Sequence, residues 1–534
     1  MVDIERIEYE ELSGDYAIFN NQKLLEECSR LYSAHYGYWS HESSHSPSKR
    51  IKLSANRIRD WLETGNADLC MARLEGKLIA YAIVIRSKQR ISINSKKESG
   101  NISWVTQLVV HEDYRNQGIA KDLLFSIWSF SNDLVWGLIT ANPYAIRALE
   151  KATRRRCSPE RIKRNKDKLR NIAIKDLSYY KIGKSTPIKV GEKTSKINTE
   201  FFVDHSQVPE MMEKASANGI PWELGNLDEG WEWFAFTFGD QDQMELANEE
   251  IKGMVRASAQ IAKQAYSRML LNKDHKWSRG TPQEVEFIVK NCGLTKGARV
   301  LDVGCGLGRH AMELARKNLN VVGIDYVLGF IQKAEREAQK ENLQTVEFIV
   351  GDAREGISSD TEWESNYDAV ICLYDVIGSF IDDTENKKIL ETIAKSMKQN
   401  AKAVITVMNH QLTEKRAWQK DHVFSFESEP NRLRDLKPSG IMETNGNIFD
   451  PEYYLVDKDT HIVYRREQFT GTKEKKLSKE LIVMDKRYTE AEITTLCQEA
   501  GLNVESVKYV NTGKWNDSLD SSEAKEIMVI CTKR

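Results

Sequence analysis

The chain has 534 residues and only eight cysteines, none of which falls in a C-x-x-C pair. That scarcity argues against a disulfide framework and against a Cys-rich zinc site, and it makes a reducing cytosol the simplest compartment. Long hydrophobic runs are missing as well. The longest, such as Leu78 to Ile85, fall far short of the roughly 18 residues a membrane span needs. The N-terminus is mixed and acidic, without a signal-peptide pattern, so a cytoplasmic location is expected. An excess of one charge is also absent. Lys plus Arg is 77 and Asp plus Glu is 79, a formal net charge of −2. This argues against a general nucleic-acid or anionic-membrane binder and leaves room for a local basic patch. No fixed-period repeat is visible, which excludes solenoids and propellers. What is present is a globular composition, 40% apolar and 29% charged. The length suggests about three or four domains at roughly 150 residues each.

Apolar spacing predicts a helix over Leu24 to Tyr36 and buried strands over Leu78 to Ile85 and Ser103 to Val110. A helix is expected from Gly118 to Phe130, a strand from Trp136 to Thr140 and a helix from Ala145 to Ala152. The charge then shifts. Lys151 to Arg170 holds ten basic residues against two acidic ones, whereas Ala215 to Ile251 holds nine acidic residues and no Lys or Arg. Inside the acidic block, Phe234, Phe236 and Phe238 alternate with Trp233, Ala235 and Thr237, the pattern of a strand with one aromatic face. Met244 to Leu271 reads as a long connecting helix. From Lys296 onward strands alternate with helices, at Arg299–Val303, Val321–Asp325, Thr345–Val350, Ala369–Leu373 and Ala403–Met408. That alternation predicts a doubly wound parallel sheet.

The strongest motif is Val300-Leu301-Asp302-Val303-Gly304-Cys305-Gly306-Leu307-Gly308-Arg309-His310. A buried strand runs into a Gly-x-Gly-x-Gly turn, where missing Cβ atoms let a ligand lie against the backbone. A glycine turn alone is shared by several nucleotide-binding folds. Here Asp325 ends the next strand about 20 residues on, where a carboxylate can take two ribose hydroxyls. Asp352, followed by Ala353, ends the third strand. In this order the residues resemble the class I S-adenosylmethionine-dependent methyltransferases, over roughly Thr281 to Arg534. The resemblance implies that Asp302, Gly304, Gly306, Gly308, Asp325, Asp352, Ala353 and Leu373 bind S-adenosylmethionine, with Asp352 facing the adenine amino group.

The acceptor is less legible. Where DNA amino-methylases carry Asn/Asp-Pro-Pro-Tyr after the fourth strand, this chain has Leu373-Tyr374-Asp375-Val376-Ile377-Gly378-Ser379-Phe380. That is similar to the small-molecule N- and O-methyltransferases. Tyr374 and Asn409 are candidates for substrate binding, and Asp375 and His410 for assisting proton removal. Each also has a structural alternative, as a packed aromatic, a loop acid or a crevice residue. A segment from Trp418 to Tyr488, with alternating strands such as Ile462–Gln468, is expected to roof the acceptor pocket.

In the N-terminal half, Gln107-Leu108-Val109-Val110 runs into Arg115-Asn116-Gln117-Gly118-Ile119-Ala120 and a helix. An Arg-x-x-Gly-x-Ala helix start offers free backbone N–H groups and a positive dipole end to a pyrophosphate. With its strand–turn–helix setting and Asn142 after the next strand, it resembles the GNAT acetyltransferases over about Leu24 to Lys151. The resemblance implies acetyl-CoA binding by Leu108, Val109, Val110, Arg115 through Ala120, and Asn142. Two departures bear on activity. Many GNAT enzymes place a tyrosine seven residues after that asparagine; here it is Leu149. Many place a glutamate near the start of the preceding strand; here Trp104, Val105 and Thr106 stand there. Tyr144 is the nearest phenol in sequence that can serve the leaving thiolate, with His111 or a water chain as alternatives.

Three signals are discounted. His41-Glu42-Ser43-Ser44-His45 fits the H-E-x-x-H zinc pattern but lies among serines, without an amphipathic helix, so no metal is expected. Asn142-Pro143-Tyr144 lacks the second proline of the DNA-methylase element. The basic run to Arg170 suits RNA or a CoA phosphate, and equally a solvated helix docked on the acidic block. In that block, Trp231 and Trp233 read as a last strand, or with Glu232 as a receptor for a cationic amine.

The expected architecture is therefore an α/β multidomain chain. A GNAT-like mixed α/β domain spans 1–240, with its core at about 20–155 and an extension over 156–240. A helical connector and cofactor lid span 241–290. A doubly wound Rossmann-like methyltransferase domain spans 291–534, with a β-rich insertion at about 418–488. The expected function is a bifunctional transferase that acts on a small molecule, such as an amine, with acetyl-CoA and S-adenosylmethionine as donors. The alternatives are a methyltransferase whose GNAT-like domain only binds substrate or partner, and an RNA-modifying enzyme that uses residues 151–170.

Overall fold

The computed structural model describes all residues except 1–5, 14–20, 45, 64–65, 94–95, 132, 177–181, 217–220, 271–275, 357–363, 441–446 and 471–477. It forms two compact units: Met1–Gln264 with Gln468–Ile482, and Ala265–Glu467 with Val483–Arg534. The first unit thus runs past residue 240 and also takes in part of the 418–488 segment.

The first unit is built on an eight-stranded sheet in the order β1-β2-β3-β4-β5-β8-β7-β6. Its strands are β1 (Ile7–Ser13), β2 (Ala67–Leu74), β3 (Lys77–Ile93), β4 (Lys96–Val110), β5 (Val135–Thr140), β6 (Ile188–Gly191), β7 (Thr194–Asn198) and β8 (Trp231–Phe238). Leu78 to Ile85 of β3 are buried without alternation, as expected of a strand covered on both faces. Helix α1 (Gln22–His35) turns Leu24, Leu25, Cys28, Leu31 and Tyr32 inward, the helical stripe its spacing predicts. Helix α2 (Ala55–Leu62) follows it, capped by Ser54.

Only β4 and β5 are parallel neighbours, so a crossover must join them, and α3 (Ile119–Trp128) supplies it. Their pairing ends at Val105↔Leu138, although β4 continues to Val110 and β5 to Thr140. At the same level β4 carries a bulge against β3, because Ile83 pairs with Gln107 and Val84 with Val105. The extra residue, Thr106, donates its hydroxyl to the Ile83 carbonyl at 3.1 Å. A bulge bends and twists its strand, and here it sits where β4 leaves β5. The result is a cleft between two strand ends.

After β5, α4 (Pro143–Thr153) starts with proline in its first turn and Asn142 as cap. The basic run then spends its first arginines inside the unit. Arg154 and Arg155 are buried and donate to the carbonyls of Met244 and Gly239. Arg161, at the start of α5 (Pro159–Asp176), pairs with Asp240 at 2.6 Å. The start of the basic run is thus tied to the acidic segment, while Lys163, Arg164 and Lys168 stay exposed. Helix α6 (Val208–Ser216) precedes β8, and α7 (Asn248–Leu270) begins within this unit. In α7, Gln260 Oε1 accepts from Tyr9 N at 2.6 Å and Gln264 Oε1 from Glu11 N at 3.1 Å. Their amide nitrogens donate back to the carbonyls of Ile7 and Tyr9. Two glutamines one helical turn apart thus stand in for a neighbouring strand along the edge of the sheet.

The second unit has a seven-stranded sheet in the order β11-β10-β9-β12-β13-β19-β18. Strands β9 (Arg299–Val303), β10 (Asn320–Asp325), β11 (Val346–Val350), β12 (Tyr367–Cys372) and β13 (Met397–Met408) are parallel. Strands β18 (Leu502–Val510) and β19 (Glu526–Lys533) form an antiparallel edge. Helices α8 (Thr281–Asn291), α9 (Arg309–Arg316) and α10 (Leu328–Lys340) cover one face, while α11 (Asp383–Ser396) and α13 (Glu490–Glu499) cover the other. This is the doubly wound sheet read from the sequence. Chain order reverses between β9 and β12, which opens a crevice at their carboxyl ends. Helix α12 (His410–Trp418) leads into a small sheet of β14 (Val423–Phe424), β15 (Leu455–Asp457), β16 (Ile462–Thr470) and β17 (Ser478–Lys486).

Gly137 tests the packing of the first sheet. A Cβ there would lie 1.9 Å from the Phe236 ring on the adjacent strand. Gly137→Ala is expected to cost about 1–3 kcal/mol by overpacking. It should lower the melting temperature of the full chain measured by calorimetry, and an unchanged melting temperature would refute this packing.

Candidate cofactor and acceptor sites

In the second unit the three motif glycines do different work. Cβ atoms on Gly304 and Gly308 would strike Val376 at 2.5 Å and Phe348 at 2.5 Å, so these two glycines permit close packing. Gly306 is different: it has φ +54° and nothing within 4 Å of an added Cβ, so it faces open space. Its N–H donates to Asp325 Oδ2 at 3.0 Å, while Asp325 Oδ1 accepts from Val327 N at 2.8 Å. The ribose acid is thereby fixed at the end of β10 beside the open glycine. Beneath the turn, Asp302 is buried, its Oδ2 has no hydrogen-bond partner, and burial pushes its carboxyl up to about 7. An open glycine, a fixed carboxylate and a buried polar floor fit S-adenosylmethionine.

Asp352 is held by Arg354, which donates to both of its oxygens at 3.0 Å and also reaches Glu385 at 2.7 Å. Ala353 packs against the core on the α11 side, and Leu373 is buried at the end of β12. The phenol of Tyr326 is raised by its surroundings and by the charges of Asp325, Asp352 and Asp375.

Tyr374 adopts φ +67°, a rare conformation for an aromatic residue. Its N–H donates to Thr406 Oγ1 at 2.5 Å and its hydroxyl to Glu284 Oε1 at 2.6 Å. The sequence reading missed Glu284. It is fully buried and also accepts from His310 Nε2 at 2.7 Å, Arg309 Nη1 at 3.2 Å and Gly513 N at 2.8 Å. Burial alone would raise this carboxyl, but the donors from His310, Arg309 and Tyr374 hold it below the usual range. Burial and the Arg309 charge push His310 down to about 4, so it donates as a neutral ring. The available signal was Thr281-x-x-Glu284, the spelling of a capping box. The fold puts Gly280 at the cap and turns Glu284 toward Tyr374.

Asp375 remains accessible to solvent. Enclosure and then Asp485 raise its carboxyl, while Arg465 and Arg487 pull the other way. Those arginines are buried and bound to Asp485, Arg465 at 2.5 Å and Arg487 at 3.0 Å. Two expectations are corrected. Asn409 is fully buried: its amide donates to the carbonyls of Ser521 and Ala524, and its oxygen caps α12. It is a structural cap, closed to an acceptor. His410 is buried as well and stacks on His461 with ring centroids 3.6 Å apart. Burial and His461 push it down to about 3, so it is neither exposed nor a useful base at neutral pH.

In the first unit, the cleft between β4 and β5 leads to the start of α3. Gly118 caps that helix with φ +83° and no side-chain bond, which leaves first-turn N–H groups directed outward. Ile119 is buried, Ala120 half-buried, and Asn116 adopts φ +61°. This backbone geometry fits a pyrophosphate. The Arg115 side chain is engaged elsewhere, because its guanidinium donates to Val110 O at 3.2 Å and to His35 O. It pins α1 to β4, so only its backbone belongs to the cradle. Gln117 donates to Asp113 O at 3.2 Å. Leu108 and Val110 are half-buried and Val109 buried along the open end of β4. Asn142 spends its carbonyl on the Tyr144 N–H at 2.9 Å. Tyr144 is half-buried on the first turn of α4 and lies close enough to Lys214 to interact with it. Leu149 is fully buried. His41 is exposed, and His45 lies outside the described residues. Among the described residues no cluster that can hold a metal is found, and no helix is long and apolar enough to cross a membrane.

Both units thus place a helix start at the end of a parallel strand, the layout of group-transfer domains that bind nucleotide cofactors. Residues 28–152 match the model of the Acetyltransferase (GNAT) family, and residues 294–461 match that of a Methyltransferase domain. The chain carries a GNAT-like domain followed by a methyltransferase domain. It is 31% identical over 146 residues to a ubiquinone biosynthesis O-methyltransferase of Rickettsia conorii, covering 27% of this chain and 46% of that one. It is 46% identical over 57 residues to a tRNA (guanine-N(7)-)-methyltransferase of Rubrobacter xylanophilus, covering 10% and 26%. The chain spans about half or less of the length of these relatives. A solved S-adenosylmethionine-dependent methyltransferase from Clostridium acetobutylicum aligns at 14% identity and a TM-score of 0.33, covering 51% of this chain and 97% of that one.

The geometry sets two expected outcomes. Asp325→Ala should weaken S-adenosylmethionine binding by about 1.5–3 kcal/mol, the value of a charge-assisted bond. Gly306→Val should weaken it further by filling the open space. Calorimetric titration checks both, and unchanged affinity in the two variants would remove this site. The second concerns Glu526, buried on β19, which burial and Glu284 push up to about 8. The unfolded chain ionises this acid near 4.5, so its folded state is penalised increasingly from about pH 4.5 to 8. Glu526→Gln should therefore gain melting temperature over the unmodified chain as pH rises from about 5 to about 8.5. A difference that shrinks with pH would contradict the assignment.

Proposed function

We propose that the chain is a bifunctional transferase that methylates and acetylates small molecules, with an amine, bound as its ammonium and deprotonated before attack, as the preferred acceptor. The observation that carries the reading is the pair of glycine turns after parallel strands: Gly306, with open space beside it, and Gly118, which caps α3 without a side-chain bond. Bound S-adenosylmethionine supplies an already activated methyl, so what the protein must provide is alignment and exclusion of water. Asp325 and Asp352 hold the donor end. Tyr374, fixed in its unusual conformation by Glu284 and Thr406, shapes the acceptor end, and accessible Asp375 holds the amine and receives its proton.

Acetyl-CoA supplies a thioester to the cleft of the first unit. The backbone N–H groups of α3 hold its phosphates, and a backbone N–H along Leu108–Val110 serves the developing oxyanion. Tyr144 assists the departing thiolate, a contribution worth about 10²–10⁴-fold in general acid catalysis. A second reading is favoured by Leu149, an apolar residue sealed in the core where many GNAT enzymes place the acid. In that reading the first domain binds substrate or partner and the methyltransferase works alone. Burial of Arg154 and Arg155 withdraws the first arginines of the basic run from an RNA surface, while Lys163, Arg164 and Lys168 stay exposed on α5.

The deciding experiment incubates the full chain with small-molecule extract and each donor separately, then searches for products by mass spectrometry. Both methylated and acetylated products are expected, and Tyr144→Phe should lower acetylation turnover with little change in acetyl-CoA affinity. Methylated products alone would select the second reading. Products that appear only when RNA is supplied would overturn both.

A further inference from the structure

Glu232 is the second residue of β8 and is 4% exposed. Its neighbour Trp233 pairs with Thr140, the last residue of β5, so Glu232 stands just beyond the carboxyl end of β5. Alternation places it on the face of Phe234 and Phe236, whose rings meet Trp104 on β4. It is therefore at the mouth of the cleft that opens beyond Val105↔Leu138.

The surroundings of this carboxylate are unusual. Thr199 donates its hydroxyl to Oε2 at 2.7 Å. No described arginine or lysine lies close enough to draw the carboxyl down, and burial pushes it up to about 7. Buried charges are ordinarily paired with a cation. Here the neighbours are aromatic. Tyr36 senses the Glu232 charge, stacks on Tyr32 with centroids 4.2 Å apart, and lies 6.3 Å from Phe201. Trp39 meets Phe201 edge-on at 5.2 Å. The tryptophans of β8 are occupied elsewhere: Trp231 carries Lys189 and Lys196 over its ring, and Trp233 packs on Trp222. Thr199, Phe201 and Glu232 lie outside the matched residues 28–152, whereas Tyr36 and Trp39 lie within them.

A buried carboxylate with a hydroxyl but no cation among the described residues, in a setting of aromatic side chains, has the chemistry of an ammonium receptor. We infer that Glu232 anchors a protonated amine at the mouth of the β4–β5 cleft, with Tyr36 and Phe201 as its aromatic walls. The inference deepens the acetyl-transfer reading by naming how its acceptor is held, and it rests on that reading only for what then happens to the amine. The ammonium supplies the missing positive charge. A neutral alcohol of the same shape gains no such contact.

The test uses the full chain and ethylammonium chloride, small enough to enter any pocket that takes a larger amine, against sodium chloride of equal strength. Calorimetric titration should show saturable binding that ethanol does not displace. Glu232→Gln, which keeps an acceptor for Thr199, should weaken it by more than about tenfold, as loss of one partner of a buried charge pair does. Glu232→Asp should fall between the two. Equal affinity in all three proteins, displacement by ethanol, or no saturable binding would overturn the inference. The acetyl-CoA-induced rise in melting temperature is measured on the same proteins and should be unchanged by either substitution. If acetyl-CoA protects none of them while ethylammonium binds through Glu232, the acetyl-transfer reading fails and the amine site stands.

Discussion

A parallel strand cannot be re-entered by a tight turn, and this constraint shapes both units. The crossover has to be a helix, and a helix begins with N–H groups that have no partner within it. The constraint acts once in the first unit, between β4 and β5, and repeatedly in the second. Each unit sets a left-handed glycine at such a turn, Gly118 in one and Gly306 in the other, and of the two Gly306 has open space beside it. The remaining motif glycines answer to packing. Gly304 and Gly308 are glycines because Val376 and Phe348 occupy the places of their side chains.

The second common theme is carboxylic acids removed from water. Asp302, Glu526 and Glu232 are buried with too few donors, and burial raises each toward or above neutrality. Glu284 is buried too, but it collects Tyr374, His310, Arg309 and Gly513 and stays ionised. Donor count separates the two behaviours. A saturated acid fixes the geometry around it, as Glu284 fixes Tyr374, whereas an unsaturated one keeps capacity for a further partner.

Much of this was legible in the sequence. The doubly wound order followed from regular alternation of strand and helix, and the Gly306–Asp325 pair from spacing within one strand–turn–helix unit. These features are local, so local patterns report them. What escaped was set by contacts between distant segments. Glu284 and Glu526 lie far apart in the chain and meet around Tyr374 only through the order of β13, β19 and β18. Asn409 and His410 stand at a strand end, where sequence places ligand-facing groups, yet the 521–524 loop and His461 close over them. The span of α7 shows the same limit. Its helical period was plain, while the register of Gln260 and Gln264 on an edge strand required the fold.

The composition of the first unit also bears on how the chain is made. Gln468–Ile482 belongs to it, although the second unit's parallel strands are all synthesised in between. On the ribosome, the first unit emerges with its eight-stranded sheet whole but its last segment still to come. It must wait, partly finished, through the synthesis of a second nucleation centre with its own glycine turn and apolar strands. The first unit begins the chain and is among the last parts of it to be completed. A chain that stops short of residue 468 therefore leaves both units incomplete.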